Sequence, residues 1–186
     1  MFIFNAINHF RTITTHKIIV MKGCFRVGLY KQGILHDLSK YSPTEFWTGV
    51  KYYQGTRSPN AAEREAIGYS KAWLHHKGRN KHHFEYYVDF FPKDKDHPIM
   101  FAPMQKQYVV EMFIDRVAAC KVYNKDKFTV NDPLDYYNLG DTGQFLHPYT
   151  KKLLEKLLHV YAKYGEEVTY RYIRVKILKN LGGVKK

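Results

Sequence analysis

Apolar positions along the chain recur at helical spacing nearly throughout. Residues 15 to 30 place Ile19, Val20, Cys24 and Val27 on one stripe, and His16 falls on the same stripe (16, 20, 23/24, 27). Gly33 follows, then the short His36-Asp37 segment. Ser42-Pro43-Thr44-Glu45 reads as a helix start: a serine cap, proline at the first position and a glutamate three residues on, the capping-box pattern. That helix is expected to run to about Tyr53, with Gln54-Gly55 ending it. Ser58-Pro59 opens another helix, with Ala62, Ala66, Tyr69, Trp73 and His76 on one face and Gly78 at its end.

Lys81 to Phe90 reads as a short helix, and Phe91 to Pro98 as a charged loop. Gln105 to Tyr123 predicts a central helix offering Val109, Met112, Phe113 and Val117 to the core. Residues 124 to 149, rich in Asn, Asp, Gly, Pro and Tyr, read as a long irregular stretch, a kind of segment that is often functional. Thr150 to Leu181 returns to helix on a stripe of Leu153, Leu154, Leu157, Leu158 and Tyr161, with Gly165 breaking or bending it. The tail from Gly182 to Lys186 is expected to fray. No segment reads as a strand. The expectation is an all-α bundle in one domain, with a core at about 9–123, an irregular loop at 124–149 and C-terminal helices at 150–181.

Composition changes this picture in two ways. The 30 Lys and Arg outnumber the 17 Asp and Glu, a formal net charge of +13. Such a surface favours anionic partners, from phosphorylated metabolites to nucleic acid. The two cysteines, Cys24 and Cys120, form no C-x-x-C, which excludes a zinc ribbon or thioredoxin-like motif and suits a reducing cytoplasm. The stretch MFIFNAINHFRTITTHK lacks a charged start followed by a sustained apolar run, so it makes a poor signal peptide. No apolar run approaches the about 20 residues needed to span a bilayer. The expected location is cytoplasmic, without membrane contact.

The chemistry lies in the histidines and carboxylates: His16; His36-Asp37; His75-His76; His82-His83; Asp115. Each group falls on or beside a different predicted element. Imidazole with carboxylate suits divalent Mn, Fe, Zn, Co or Ni, and ligands spread over several helices meet naturally inside a bundle. Taken singly, each has a blander reading. His16 could be a core histidine, Asp37 a helix cap, and His82 and His83 surface groups in a basic segment. His76 shares a face with Trp73 and should point inward, whereas His75 sits about 100° around the helix. Lys40, one turn from Asp37, can meet a phosphate oxygen; Arg79 and Arg116 are weaker candidates for the same contact. Asn80 and Glu111 are candidates for orienting a ligand from behind. The aromatic run of Tyr86, Tyr87, Phe90 and Phe91 reads as core rather than as a base-stacking platform.

In order, His16, His36-Asp37 and Asp115 resemble the H…HD…D signature of the HD-domain superfamily of metal-dependent phosphohydrolases. Leu38-Ser39-Lys40 is similar to the x-G-K that often follows the pair there, with Ser39 in place of Gly. His82-His83-Phe84-Glu85 resembles the H-H-E of the HD-GYP branch, and Glu111-Met112-Phe113-Ile114-Asp115 its helix carrying the last aspartate. The GYP tripeptide is absent, which argues against cyclic-dinucleotide specificity. HDLSKYSPTEF, AWLHHKGRNKHHFEYY and EMFIDRVAA together resemble, over residues 9 to 123, an uncharacterised family of bacterial and phage HD-like proteins. Its motif H-x-x-x-N-x-H-H matches His76, Asn80, His82 and His83.

The resemblance implies an HD-like bundle with one or two divalent ions held by His16, His36, Asp37, His76, His82, His83 and Asp115. It implies hydrolysis of a phosphomonoester or phosphodiester of a nucleotide-like or small phosphorylated substrate by a metal-bound hydroxide, with Asp37 and Lys40 catalytic and Lys40, Arg79 and Arg116 on the substrate. Two other classes stand beside it. A nucleic-acid-binding module on the same scaffold would use the positive charge without metal, and a diiron oxygenase would use the same histidines. No haem-binding motif is present.

Overall fold

The stripe that begins at His16 belongs to a longer helix than the sequence predicts. A computed structural model describes residues 2–93, 95–96 and 98–179. In it α1 spans Phe2–Val27 and buries His9, Ile13, His16, Val20, Gly23, Cys24 and Val27 on one face. The first turns extend beyond the expected start because His9 and Ile13 continue the same spacing toward the N-terminus. Gly23 allows α1 to approach its neighbour: a Cβ there would lie 2.7 Å from Ile114 Cγ2. Gly28, at φ 91°, ends the helix, and α2 (Tyr30–Leu35) turns back to pack on α1.

The Ser42-Pro43 start holds: α3 runs Pro43–Lys51 with Pro43 in the first turn, and ends slightly short of the predicted Tyr53. The capping box does not form. The Ser42 hydroxyl is buried without a partner, and the Glu45 side chain turns elsewhere. The single helix expected from Ser58 to Gly78 is two: α4 (Pro59–Ile67) and α5 (Lys71–Lys77). Gly68 separates them in the left-handed region at φ 84°, where a side chain would be strained. Ser70 then starts α5 properly, its hydroxyl accepting from Trp73 N at 3.0 Å and donating to the buried Glu63 of α4.

The helix expected over Lys81 to Phe90 is absent. Phe84–Tyr87 is one 3₁₀ turn, followed by strand β1 (Val88–Phe90), which pairs antiparallel with β2 (Ile99–Phe101). The sequence reading of no strands is corrected here: Val88, Phe90, Ile99 and Phe101, residues that favour extended backbone, flank the charged loop and close a short hairpin. The loop between them is as expected, though residues 94 and 97 lie outside the described residues.

The central helix α6 runs Lys106–Asn124. The irregular stretch 124–149 contains a helix of its own, α7 (Asp132–Leu139), started by Pro133 and packed on α6 and α8. The last helix, α8, spans Pro148–Tyr172 and is kinked at Gly165 (φ 73°), where the sequence places a break; Ile173–Ile177 continues as a π-helical turn. The expected fraying of residues 182–186 concerns a segment outside the described residues.

The result is an all-α bundle with one small hairpin. Its apolar core lies between α1, α6 and α8: Val20, Cys24, Val109, Val110, Phe113, Ile114, Val117, Leu154, Leu157 and Tyr161. No helix among the described residues is long and apolar enough to cross a membrane. Cys24 and Cys120 are both buried free thiols.

Candidate metal centre

At one end of this core the interior becomes polar. His16 reaches it from the buried stripe of α1, and Glu111 and Asp115 from α6, one turn apart on the helix that also supplies Val110, Phe113 and Ile114 to the apolar core. His36 ends α2. Asp37 follows in the left-handed region (φ 54°, ψ 24°), a conformation aspartate tolerates better than most residues. Its backbone carbonyl accepts from Lys40 N at 3.0 Å, so this turn aims the carboxylate inward while sending the chain on to α3. His76 comes from the last turn of α5, and His82 and His83 from the turn beyond it.

Asp37 is the centre of the arrangement. Its Oδ2 lies 3.3 Å from His36 Nε2 and 3.8 Å from His16 Nε2. Its Oδ1 lies 3.2 Å from His76 Nε2 and 3.3 Å from His82 Nε2. Asp115 Oδ1 closes the first side at 2.8 Å from His16 Nε2 and 3.4 Å from His36 Nε2. His83 Nε2 closes the second at 2.9 Å from His76 Nε2. The ligand-type atoms therefore form two groups that share Asp37: His16, His36, Asp37 and Asp115, and Asp37, His76, His82 and His83, the atoms of each within 4.8 Å of one another. All seven residues singled out in the sequence meet here, His82 and His83 both among them. His76, rather than His75, faces inward. The face argument used for it crosses the break at Gly68; His76 is brought in by the separate helix α5.

These spacings suit a shared cation. Ligand nitrogens and oxygens sit about 2.0–2.2 Å from a transition metal, which sets two ligands of one ion about 3.0–3.4 Å apart. Further, His36 Nε2, His82 Nε2 and Asp37 Oδ1 are buried without a hydrogen-bond partner. Buried polar atoms are rarely left so, and these three all face the interior of the cluster. Other clefts offer less. One of about 440 Å³, lined by Lys51, Tyr52, Tyr53, Gln54, Ala62, Glu65 and Ala66, includes none of the cluster, and Glu65 there is paired with Arg57.

The imidazoles are held from behind. Glu111 Oε1 lies 2.9 Å from His36 Nδ1 and 3.2 Å from His82 Nδ1. Glu45 lies 2.8 Å from His76 Nδ1 through Oε2 and 2.7 Å from His75 Nδ1 through Oε1. A carboxylate facing Nδ1 of His36, His82 and His76 favours a proton there, so that the inward Nε2 is the atom each ring can offer to a cation. Asn80 donates to the His76 carbonyl at 2.8 Å and to Ser39 Oγ at 3.0 Å, which fixes the end of α5. Glu45 is the residue the sequence reading missed. Its place in a capping pattern accounted for it; the adjacent His75-His76 pair was the available signal that a buried carboxylate would be needed nearby.

Burial opposes charge on every group here, and the partners decide the outcome. His16 and His36 hold Asp115 well below the usual carboxylate range despite that burial. His36, Lys40 and His76 do the same for Asp37. Burial and the neighbouring His82 and His76 push His83 well below the ordinary imidazole value. Lys40 lies 2.5 Å from Asp37 Oδ2 with its side chain 29 % exposed, at the edge of the cluster. Burial disfavours its ammonium, but Asp37 and Asp115 outweigh that and raise its pKa. The two arginines are less central. Arg79 is exposed at the end of α5 and donates to the His75 carbonyl. Arg116 lies over the Tyr136 and Tyr137 rings at 5.3 and 5.6 Å, and burial lowers its pKa.

Residues 5–160 match the model of a family of unknown function, DUF5662. The chain belongs to that family. The match covers the whole ligand cluster, from His16 to Asp115, and stops within α8. No curated protein and no solved structure is similar enough to be matched to the chain.

Proposed function

We propose that this DUF5662 chain is an HD-type metal-dependent phosphohydrolase with a dinuclear centre. The observation that carries the reading is Asp37, whose two carboxylate oxygens each face a separate set of imidazoles. His16, His36 and Asp115 would hold one divalent ion with Asp37, and His76, His82 and His83 the other. Such ions lower the pKa of bound water toward neutrality and neutralise charge on a phosphoryl group.

The chain's own residues supply the rest. Glu111 and Glu45 keep the ligand rings in the tautomer that presents Nε2. Lys40, at the half-exposed edge, can exchange its contact with Asp37 for a phosphate oxygen once cations occupy that carboxylate. The net charge of +13 favours an anionic substrate, nucleotide-like or a small organic phosphate, and the reading places the protein in the cytoplasm.

The test is metal content by mass spectrometry on tag-free protein, wild type beside Asp37→Ala, followed by a phosphatase panel with and without chelator. Near-stoichiometric Mn, Zn, Co or Ni that vanishes in the variant, with chelator-sensitive hydrolysis, supports the proposal. Two irons with oxygen uptake would replace it with an oxygenase. Absence of metal after reconstitution, with salt-sensitive nucleic-acid binding, would replace it with a binding module.

A further inference from the structure

We infer that Glu111 is a positioning residue shared by the two halves of the cluster, and that it makes two metal ions enter as a coupled pair. The inference rests on the metal reading above and deepens it. Glu111 is 4 % exposed, one turn before Asp115 on α6. Its single oxygen Oε1 faces His36 Nδ1 at 2.9 Å and His82 Nδ1 at 3.2 Å. The far nitrogens of those rings belong to opposite halves. His36 Nε2 faces Asp37 Oδ2 and Asp115 Oδ1, and His82 Nε2 faces Asp37 Oδ1. The two rings lie side by side, centroids 4.4 Å apart.

One acceptor thus fixes the tautomer and the tilt of one ligand in each half. A cation on Nε2 of either ring polarises its Nδ1–H and strengthens the bond to Glu111. That bond holds the carboxylate where the second ring needs it, so the ordering required by the second ion is partly in place when it arrives. Asp37 acts in the same sense from inside, since fixing one of its oxygens aims the other. His36, His82 and Glu111 also lie close enough to form a ligand set of their own. Both rings already turn Nε2 inward, so Glu111 serves as their anchor rather than as part of a third centre.

Glu45 provides the internal control. It bonds His76, in the second half, and His75, which belongs to neither ligand group. It stands behind one half only.

The experiment is calorimetric titration of metal-free full-length protein with Mn²⁺, for wild type, Glu111→Gln, Glu111→Asp and Glu45→Gln, with thermal melts of each metal-free form. Wild type is expected to take two ions with a Hill coefficient above one. Both Glu111 variants should weaken both ions by about ten- to a hundredfold, the magnitude usual for an outer carboxylate, and lower the Hill coefficient toward the share that Asp37 alone supplies. Glu45→Gln should weaken one ion and spare the other. The aspartate variant keeps the charge and shortens the reach, so it repeats the test should the amide fail to fold. Two ions bound independently by wild type would overturn the inference, as would a folded Glu111 variant in which the affinity for one ion or for both is unchanged. No uptake at all by wild type would instead overturn the metal reading itself.

Discussion

The two halves of the ligand cluster stand on different supports. His16 and Asp115 project from α1 and α6, the long helices whose remaining buried positions build the apolar core. His76 sits on the last turn of the seven-residue α5, and His82 and His83 lie in the turn after it. The first half is placed by burial of apolar surface, a force indifferent to the details of hydrogen bonding. The second is placed by polar contacts: Glu45 and Asn80 at the end of α5, and Ser70 with Glu63 at its start. The donor sets differ as well. Two carboxylates and two imidazoles make the first half harder than the second, with one carboxylate and three imidazoles. The difference teaches that a change in the core should cost stability before it costs ligand geometry, whereas a change around α5 should do the reverse.

The largest effect expected comes from the residue common to both halves. On the metal reading, Asp37→Ala removes an oxygen from each group at once, and metal content should fall from near two ions per chain to near zero, with activity. Asp115→Ala should leave one ion, because the second half does not use Asp115, held more weakly than in wild type for want of the coupled first ion. Mass-spectrometric metal counts on the two variants check this; one ion retained by Asp37→Ala would show that the halves do not share it.

In the opposite direction, Phe113→Ala attacks the support of the first half without touching a ligand. Phe113 is fully buried against Tyr161, ring centroids 5.7 Å apart. Truncation of such a ring costs about 3–5 kcal/mol. Denaturant melts should show that loss, while, on the metal reading, the folded fraction keeps the wild-type ratio of metal to protein. A folded variant with its metal ratio halved would break the contrast drawn between the halves.

These supports also explain what was legible in the sequence. The α1 stripe was readable because burial imposes a period on the residues themselves, and His16 came with it; α6 is buried nearly all round, and Asp115 was singled out by the order of the histidines and carboxylates instead. His76, His82 and His83 were singled out by order and spacing, but their local structure was not: the left-handed break at Gly68 and the turn at 84–87 interrupt the apolar spacing, and the hairpin is set by pairing between two segments. Glu45 shows why. Its sequence context satisfies a capping pattern, and only the fold reveals that two imidazoles compete for the same carboxylate and win. Likewise α7 was hidden in a stretch whose Asn, Asp and Gly signal turns, and packing on α6 and α8 overrides them.

His9 sharpens the comparison through pH. It lies on the α1 stripe two turns before His16, buried against α3, with Nδ1 unpartnered and Gly49 leaving room for its ring. Burial and the Lys40 ammonium push its pKa down to about 4 from the ordinary 6.5. The unfolded chain therefore binds this proton first. The stability His9 contributes is complete above pH 6.5 and is lost as the pH falls toward 4, by at most about 3 kcal/mol at 1.36 kcal/mol per pKa unit. His9→Gln should flatten that part of the curve relative to wild type. Parallel curves for the two proteins between pH 6.5 and 4 would mean that His9 titrates normally.

The smallest effect tests the weaker support most directly. Ser70→Ala removes the hydroxyl that accepts from Trp73 N and donates to Glu63, at the opposite end of α5 from His76. Loss of a helix cap costs about 1 kcal/mol, a fraction of the Phe113 effect. If α5 positions the second half through its polar ends, this small cost should appear in the ligands. On the metal reading, the ion held by His76, His82 and His83 should bind a few-fold more weakly, while the ion held by His16, His36 and Asp115 keeps its affinity. Titration of Ser70→Ala beside Phe113→Ala then gives opposite orders, less stability lost but more affinity lost in the serine variant. Equal or reversed affinity losses would mean that the apolar core, not the α5 contacts, places both halves.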